Sequence, residues 1–379
     1  MTALRQVIEQ EIRVRGPIPF ARYMELCLYH PELGYYSRDA EQFGKTGDFY
    51  TSSDVHKVFG RLLARQFDEM WRASGAPGQI QLIELGPGRG LFAQDALAWA
   101  KKKFPEFFEA LKYVLVESSQ PLRERIKSSL AAYVESGKAR FETLDYFDEI
   151  SNCSTIVFAN EFFDALPVEI ISMKGSLRID AHNGHFVEVW GKPSAEEMDF
   201  IDRYSVQPEA DERIELSLAA QRTMDYIARR TQHGFIVAVD YGYTRDEQLA
   251  GRHRGTLKAL RLHSISGNPY EAPGEQDITA DVNFSGLAAA AEKNGLRTQR
   301  LVTQSQFLMG IGEANQFADA FEECRLPQER AKVALQLKHL VTPAGMGESF
   351  HVLIASKGVD QENVEALSGL SFGRRVVMR

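Results

Sequence analysis

The chain has 379 residues, enough for one large or two modest domains with a sizeable buried core. Lys and Arg number 44 against 52 Asp and Glu, giving a formal charge of -8 with no long basic run, which excludes the usual electrostatic footprint of a nucleic-acid binder. Cys27, Cys153 and Cys324 lie far apart with no Cys-x-x-Cys, which argues against a zinc site or a disulfide framework, and no apolar run is long enough to insert in a membrane.

The first fifteen residues set Leu4, Val7, Ile8 and Ile12 among Glu9, Glu11, Arg5, Arg13 and Arg15, the pattern of an amphipathic helix. Secretory signals lack such acids, and transit peptides usually do, so a reducing, cytoplasmic setting is expected. Gly16-Pro17-Ile18-Pro19 stops this helix, and a second helical stretch, Phe20 to Tyr29, ends before Pro31. Tyr35 to Ser53 reads as a polar, aromatic loop, after which Asp54 is placed to cap a helix over Val55 to Trp71. Gly75 to Gly78 is a linker.

From Gln79 strand and helix patterns alternate: Gln81 to Leu85, Leu91 to Lys103, Tyr113 to Val116, and Pro121 to Ser136. Thr155 to Ala159 and Phe235 to Val239 are short apolar runs of the kind buried on both faces, so the expected core is α/β with parallel strands and crossover helices. Leu301 to Thr303 and Phe350 to Ala355 supply its last strands, around a long helical stretch near 305–340. Val168 to Met173, Leu177 to Ala181 and Phe186 to Trp190 are strand-like, with Asn183-Gly184 as a hairpin turn. His182 and His185 beside that turn lack further ligands at metal spacing and read as exposed hairpin residues. The organisation expected is a helical cap over 1–78, a core over 79–173 and 231–379 with a helical insertion about 305–345, and an inserted substrate-recognition region over 174–230.

The densest chemical signal is Leu82-Ile-Glu-Leu-Gly-Pro-Gly-Arg-Gly90. Gly86, Gly88 and Gly90 at a strand-to-helix turn permit close backbone approach to a ligand, and the following helix N-terminus offers free N–H groups to an anion. The Gly-x-Gly-x-Gly spacing departs from the dinucleotide fingerprint, since position 91 is Leu. Glu84, two residues earlier, repels a pyrophosphate but welcomes an ammonium or sulfonium. S-adenosylmethionine (SAM) satisfies both facts, and a nicotinamide dehydrogenase is the competing reading.

Glu117, at the end of Tyr-Val-Leu-Val-Glu, is placed to accept hydrogen bonds from both hydroxyls of a ribose. Asn160, Glu161 and Asp164 follow another buried strand amid Phe162 and Phe163 and belong in a cleft, because a buried unpaired carboxylate is costly. Asn160 can present its carbonyl to a donor nitrogen, while Glu161 and Asp164 can hold a cation and take up a proton. Asp164 as a helix N-cap is the competing reading. Asp277 and Thr279 are placed to cap a helix near Phe284.

These segments together resemble the MidA-like family of SAM-dependent methyltransferases. The resemblance runs through Gly16-Pro-Ile-Pro-Phe20, Tyr29-His-Pro-Glu-Leu-Gly-Tyr-Tyr36, Gly47-Asp-Phe-Tyr-Thr-Ser52, Glu84 to Gly90, Asn160 to Val168 and Pro273 to Thr279. One departure is Ser53-Asp54, where the family usually has Pro-Glu, so no role passes to Asp54. The resemblance implies a class I, Rossmann-like methyltransferase core and, from its mitochondrial members, methylation of a protein arginine in a respiratory complex I subunit. It also implies, with the polarity of the loop, that Asp48, Thr51 and Ser52 close over the cofactor. A guanidinium stays protonated at neutral pH, and Glu161 and Asp164 suit it. A small-molecule methyltransferase and a non-catalytic assembly factor are the alternatives. The oligomeric state is not legible.

Overall fold

Apolar runs too hydrophobic to face water on either side form the middle of the main sheet. The computed structural model describes residues 2–37, 57–150, 153–261 and 264–372. Asp48, Thr51, Ser52, Asp54 and the start of the helix expected from Val55 lie outside them. The chain divides into two compact units, one formed from the described parts of 50–161, 227–240 and 291–379, the other from those of 1–49, 162–226 and 241–290.

In the first unit the strands are β1 (Ile80–Leu85), β2 (Leu111–Val116), β3 (Ala139–Glu142), β4 (Ser154–Asn160), β5 (Gly234–Tyr243, its last three residues assigned to the other unit), β6 (Arg297–Thr298), β7 (Val302–Thr303) and β8 (Phe350–Lys357). Their spatial order is β6-β8-β5-β4-β1-β2-β3, with β7 also on β8. Strands β5, β4, β1, β2 and β3 run parallel, whereas β6 and β7 are antiparallel to β8. The chain steps outward from β1 to β2 and β3, then returns to place β4 on the other side of β1. Connections therefore diverge between β1 and β4, where an α/β sheet opens a crevice at its carboxyl edge.

Helix α1 (Lys57–Ala73) and helix α2 (Leu91–Lys103) pack aromatic side chains on β4. The Phe92 and Phe158 rings lie 4.5 Å apart, and Phe67 meets Phe158 at 5.5 Å. Gly60 allows the two helices to approach, since a Cβ there would sit 2.8 Å from Asp95 Cβ. Helix α2 occupies the residues expected. The helix expected over Pro121 to Ser136 breaks at Leu130, giving α3 (Gln120–Ser129) and a short helix Ala131–Glu135. The long helical stretch near 305–340 is three helices, Gln304–Glu313, Ala318–Phe321 and Pro327–Val341. Phe317, at φ +56°, turns the chain between the first two, and Pro327 opens the third.

In the second unit, helix Ala3–Arg15 is capped by Thr2 and stopped by Gly16 at φ +80°. Its Leu4, Ile8 and Ile12 bury with Phe20, Met24 and Leu28 of helix Phe20–Tyr29 and with Leu177 and Ile179 of strand Gly175–His182. That strand pairs antiparallel with Ile18–Pro19, Glu169–Ser172 and His185–Gly191. The Asn183-Gly184 hairpin forms as expected, with both residues at positive φ, +51° and +75°.

Two expected caps are corrected, and one competing cap reading falls away. No helix starts at Asp164, which lies in a turn whose carbonyl accepts from Ala280 N–H at 3.0 Å. Asp277 and Thr279 belong to a strand, Asp277–Thr279, paired with Lys258–Arg261. The cap of helix Phe284–Lys293 is Asn283, whose Oδ1 accepts from Gly286 N–H at 3.0 Å.

At Gly90, in the strand-to-helix turn, packing and backbone both demand glycine. Its φ is +72°, and a Cβ would meet Ile126 Cγ2 of α3 at 2.6 Å. Gly90→Ala is expected to destabilise the protein by about 1–3 kcal/mol, from left-handed backbone strain plus overpacking, measured by denaturant unfolding.

Candidate functional site

At the carboxyl edge of the parallel strands the sequence places Glu84, Glu117, Asn160 and Glu161 within one unit. Register aligns Leu85 of β1 with Val116 of β2 and with Ala159 of β4, so Glu117 and Asn160 each follow a residue level with Leu85. The intervening turn carries Gly86, Gly88 and Gly90 at φ +61°, +53° and +72°. Gly86 N–H still donates to Val116 O at 3.0 Å, and Gly90 N–H donates to Pro87 O at 2.8 Å. The β1–β2 ladder thus extends to the first glycine, and the chain then coils into α2.

Glu84 is 4% exposed, and its Oε2 accepts from Tyr113 Oη at 2.7 Å. Burial pushes its carboxyl up to about 7, against the lowering effect of that hydrogen bond. Tyr113 stands on β2 opposite Leu82, one strand from Glu84. Sequence reasoning missed Tyr113, although a tyrosine in a mostly apolar, buried strand needs a hydroxyl partner, which was the available signal.

Glu117 is 9% exposed; its Oε1 accepts from Ser119 N–H at 2.7 Å, and its own N–H donates to Glu142 O at 3.1 Å. Burial raises this carboxyl to about 7, opposed by the Ser119 and Ser118 N–H groups and by Arg123. The Arg123 guanidinium donates to the carbonyls of Glu117 and Glu142, tying together the ends of β2 and β3. Arg123 was also not foreseen, because a helical arginine carries no such signal.

Beyond β4, Asn160 Nδ2 donates to Glu161 Oε1 at 3.2 Å. Asn160 Oδ1 is buried and has no hydrogen-bond partner among the described residues. Glu161 adopts φ +50°, and its N–H donates to Val239 O on β5 at 3.0 Å. Asp240, the next residue of β5, is buried as well.

Asp164 falls three residues on, in the other unit. Burial raises it to about 7; the Asp281 charge adds to this and the Lys258 charge opposes it. In the same unit Tyr36 Oη donates to Asp277 Oδ1 at 2.9 Å, and Tyr29 Oη donates to Ala165 O at 2.9 Å. Gln276 serves its own loop, accepting from Ala272 N–H and donating to Asn268 O.

The strand-end set is rich in acceptors, with two buried carboxylates and one amide carbonyl unpaired among the described residues around a glycine turn. A pyrophosphate would face those carboxylates, whereas a cationic amino acid joined to a ribose meets complementary groups. SAM therefore fits the residues present. A family of S-adenosyl-L-methionine-dependent methyltransferases matches residues 62–302, well over half of the chain. The chain belongs to that family.

A crystal structure from Burkholderia thailandensis bound to S-adenosyl-homocysteine is similar at TM-score 0.83 and 28% identity, covering 97% of this chain and 94% of that one. The protein arginine methyltransferase NDUFAF7 homolog, mitochondrial, of Drosophila melanogaster is 29% identical, over 94% of this chain and 85% of that protein. The human mitochondrial protein arginine methyltransferase NDUFAF7 is 27% identical, over 93% and 82%. The methyltransferase has a class I, Rossmann-like core and takes SAM as its cofactor.

Buried acids give this family member a defined pH dependence. Between about 4.5 and 7 the folded protein keeps protons on Glu84 and Glu117 that the unfolded chain has released. The native state then binds more protons, so their contribution to stability falls as pH rises through that window. Urea unfolding at pH 5 and pH 8 should show the wild type losing more stability between these values than E84Q/E117Q, by on the order of a few kcal/mol.

Proposed function

We propose that this methyltransferase is a protein arginine N-methyltransferase, and that its role lies in respiratory complex I assembly. The observation that carries the reading is the Asn160-Glu161 pair at the carboxyl end of β4, where a buried carbonyl with no partner among the described residues adjoins a carboxylate. Arginine methyltransferases among the relatives, and the shared motifs, support the same substrate class. Free cysteines at Cys27, Cys153 and Cys324 support a reducing compartment, in our reading the cytoplasm. Among the described residues no helix is long and apolar enough to cross a membrane.

In this proposal Gly86, Gly88 and Gly90 admit the cofactor, Glu84 faces its ammonium end, and Glu117 accepts from its ribose hydroxyls. Asp48, Thr51 and Ser52, outside the described residues, complete the cofactor contacts. When bound, SAM supplies a methyl group on a positively charged sulfur. Asn160 Oδ1 accepts from the substrate nitrogen and orients it. Glu161 holds the guanidinium, whose lost proton passes to a carboxylate as the nitrogen takes the methyl. Asp164 is the second acid we propose for proton uptake: burial raises its carboxyl to about 7, which makes its ionised form a stronger proton acceptor than an exposed carboxylate.

Glu161→Gln is expected to lower methyl transfer to arginine-containing protein by about 10²–10⁴-fold, the usual worth of a positioned acid or base. SAM affinity by calorimetry should change little. Asp164→Asn measures the second acid separately. Wild-type turnover in Glu161→Gln, or label from deuterated SAM found on a metabolite and never on protein arginine by mass spectrometry, would overturn the reading.

A further inference from the structure

Away from those strand ends, the second unit carries a groove that the methyl-transfer reading does not use. It is an open depression of about 610 Å³ where strands Glu169–Ser172, Gly175–His182 and His185–Gly191 meet helix Ala195–Tyr204. Ile201 is buried in its floor and Trp190 half-buried in its wall, while Met173 is 71% and Met198 38% exposed at its rim. Exposed methionines are costly to leave in water and repack readily around different apolar side chains. Lys174 and Lys192, both exposed, also line the groove. Neither ammonium has an ion-pair or hydrogen-bond partner among the described residues, and the lining contains no carboxylate.

In a chain of formal charge -8, a groove of mixed polarity that sets Trp190, Met173 and Met198 beside Lys174 and Lys192 selects for an anionic ligand with an apolar anchor. Strand His185–Gly191, which supplies Trp190 and Gly191 to the groove, pairs on one side with Gly175–His182 and, among the described residues, with no other strand. Its free edge offers backbone N–H and C=O groups to an extended chain.

We propose that this groove docks an extended, acidic segment of a partner protein, anchored by one or two large apolar side chains against Trp190, Met173 and Met198. Lys174 and Lys192 pair with carboxylates that flank the anchor. The inference stands apart from the arginine reading, because it concerns binding and needs no methyl transfer.

The test selects the full-length wild-type protein against a displayed library of randomised peptides, then measures the enriched peptide by fluorescence anisotropy. Peptides enriched in Asp or Glu around Leu, Ile or Phe are expected, with affinity falling at least roughly tenfold in K174E/K192E and falling with added salt. Circular dichroism and SAM affinity should be unchanged in that variant, which separates groove failure from misfolding and from failure of the methyltransferase site. No enrichment, enrichment of neutral or basic peptides, or equal affinity in K174E/K192E would overturn the proposal. So would a wild-type dimer in sedimentation that K174E/K192E dissolves, or binding to anionic vesicles with none to peptide, because the occupant would then be a second copy or a lipid surface.

Discussion

Three glycines at alternate positions, all held at positive φ, take the chain from the end of β1 into α2, and the rest of the site depends on that turn. A side chain at Gly90 would strike Ile126, so the close approach of α3 to the turn exists only because the position is bare. Helix α3 in turn carries Arg123, which clamps the carbonyls of Glu117 and Glu142. Gly86 extends the β1–β2 ladder by one hydrogen bond before the chain bends away. The crevice, the acid that follows β2 and the helix that secures it are thus one mechanical assembly.

That assembly holds carboxylates where an apolar core would be more stable by itself. Glu84 and Glu117 have little access to water, and each carboxyl is raised to about 7 by burial. Their partners offset only part of the desolvation, a phenol for Glu84 and backbone N–H groups for Glu117. A protein retains such groups when a bound molecule completes their electrostatics. The family's cofactor has the matching chemistry, an ammonium and a sulfonium at one end and a pair of hydroxyls at the other. In the proposed placement its binding favours the ionised form of Glu84, whereas a phosphorylated nucleotide would oppose it.

Residues that must be apolar on both faces made the core legible. Gln81 to Leu85, Thr155 to Ala159 and Phe235 to Val239 read as strands because they are short and mostly apolar, and the structure extends each by one to five residues. Asn183-Gly184 announced its hairpin for a different reason, the need for two positive φ angles in the turn. Short strands such as Ala139–Glu142 and Lys258–Arg261 were not legible, because four mixed residues carry no period and tertiary pairing alone defines them. The breaks at Phe317 and Leu130 were hidden because neither residue type signals a helix end. At the site, strand-end acids and glycines could be read in the chain, but their partners Tyr113 and Arg123 come from tertiary proximity.

The geometry after β4 shows what local backbone strain can achieve. In an extended strand, successive side chains point to opposite faces, so Asn160 and Glu161 would diverge. Glu161 instead takes φ +50°, uncommon for a residue with a long side chain, and its N–H is fixed to Val239 O on the neighbouring strand. This left-handed step breaks the alternation and brings Asn160 Nδ2 onto Glu161 Oε1. One amide hydrogen bond then sets the orientation of both groups, leaving the Asn160 carbonyl oxygen buried with no donor from the described residues. In the proposed role, a neutral acceptor and an anionic acceptor fixed side by side would distinguish ligands by number of N–H groups as well as by charge. A guanidinium presents several coplanar N–H donors and one delocalised charge, so it can engage both acceptors at once. A hydroxyl has only one hydrogen to offer and would leave one of the two acceptors unmet, a penalty that low dielectric enlarges.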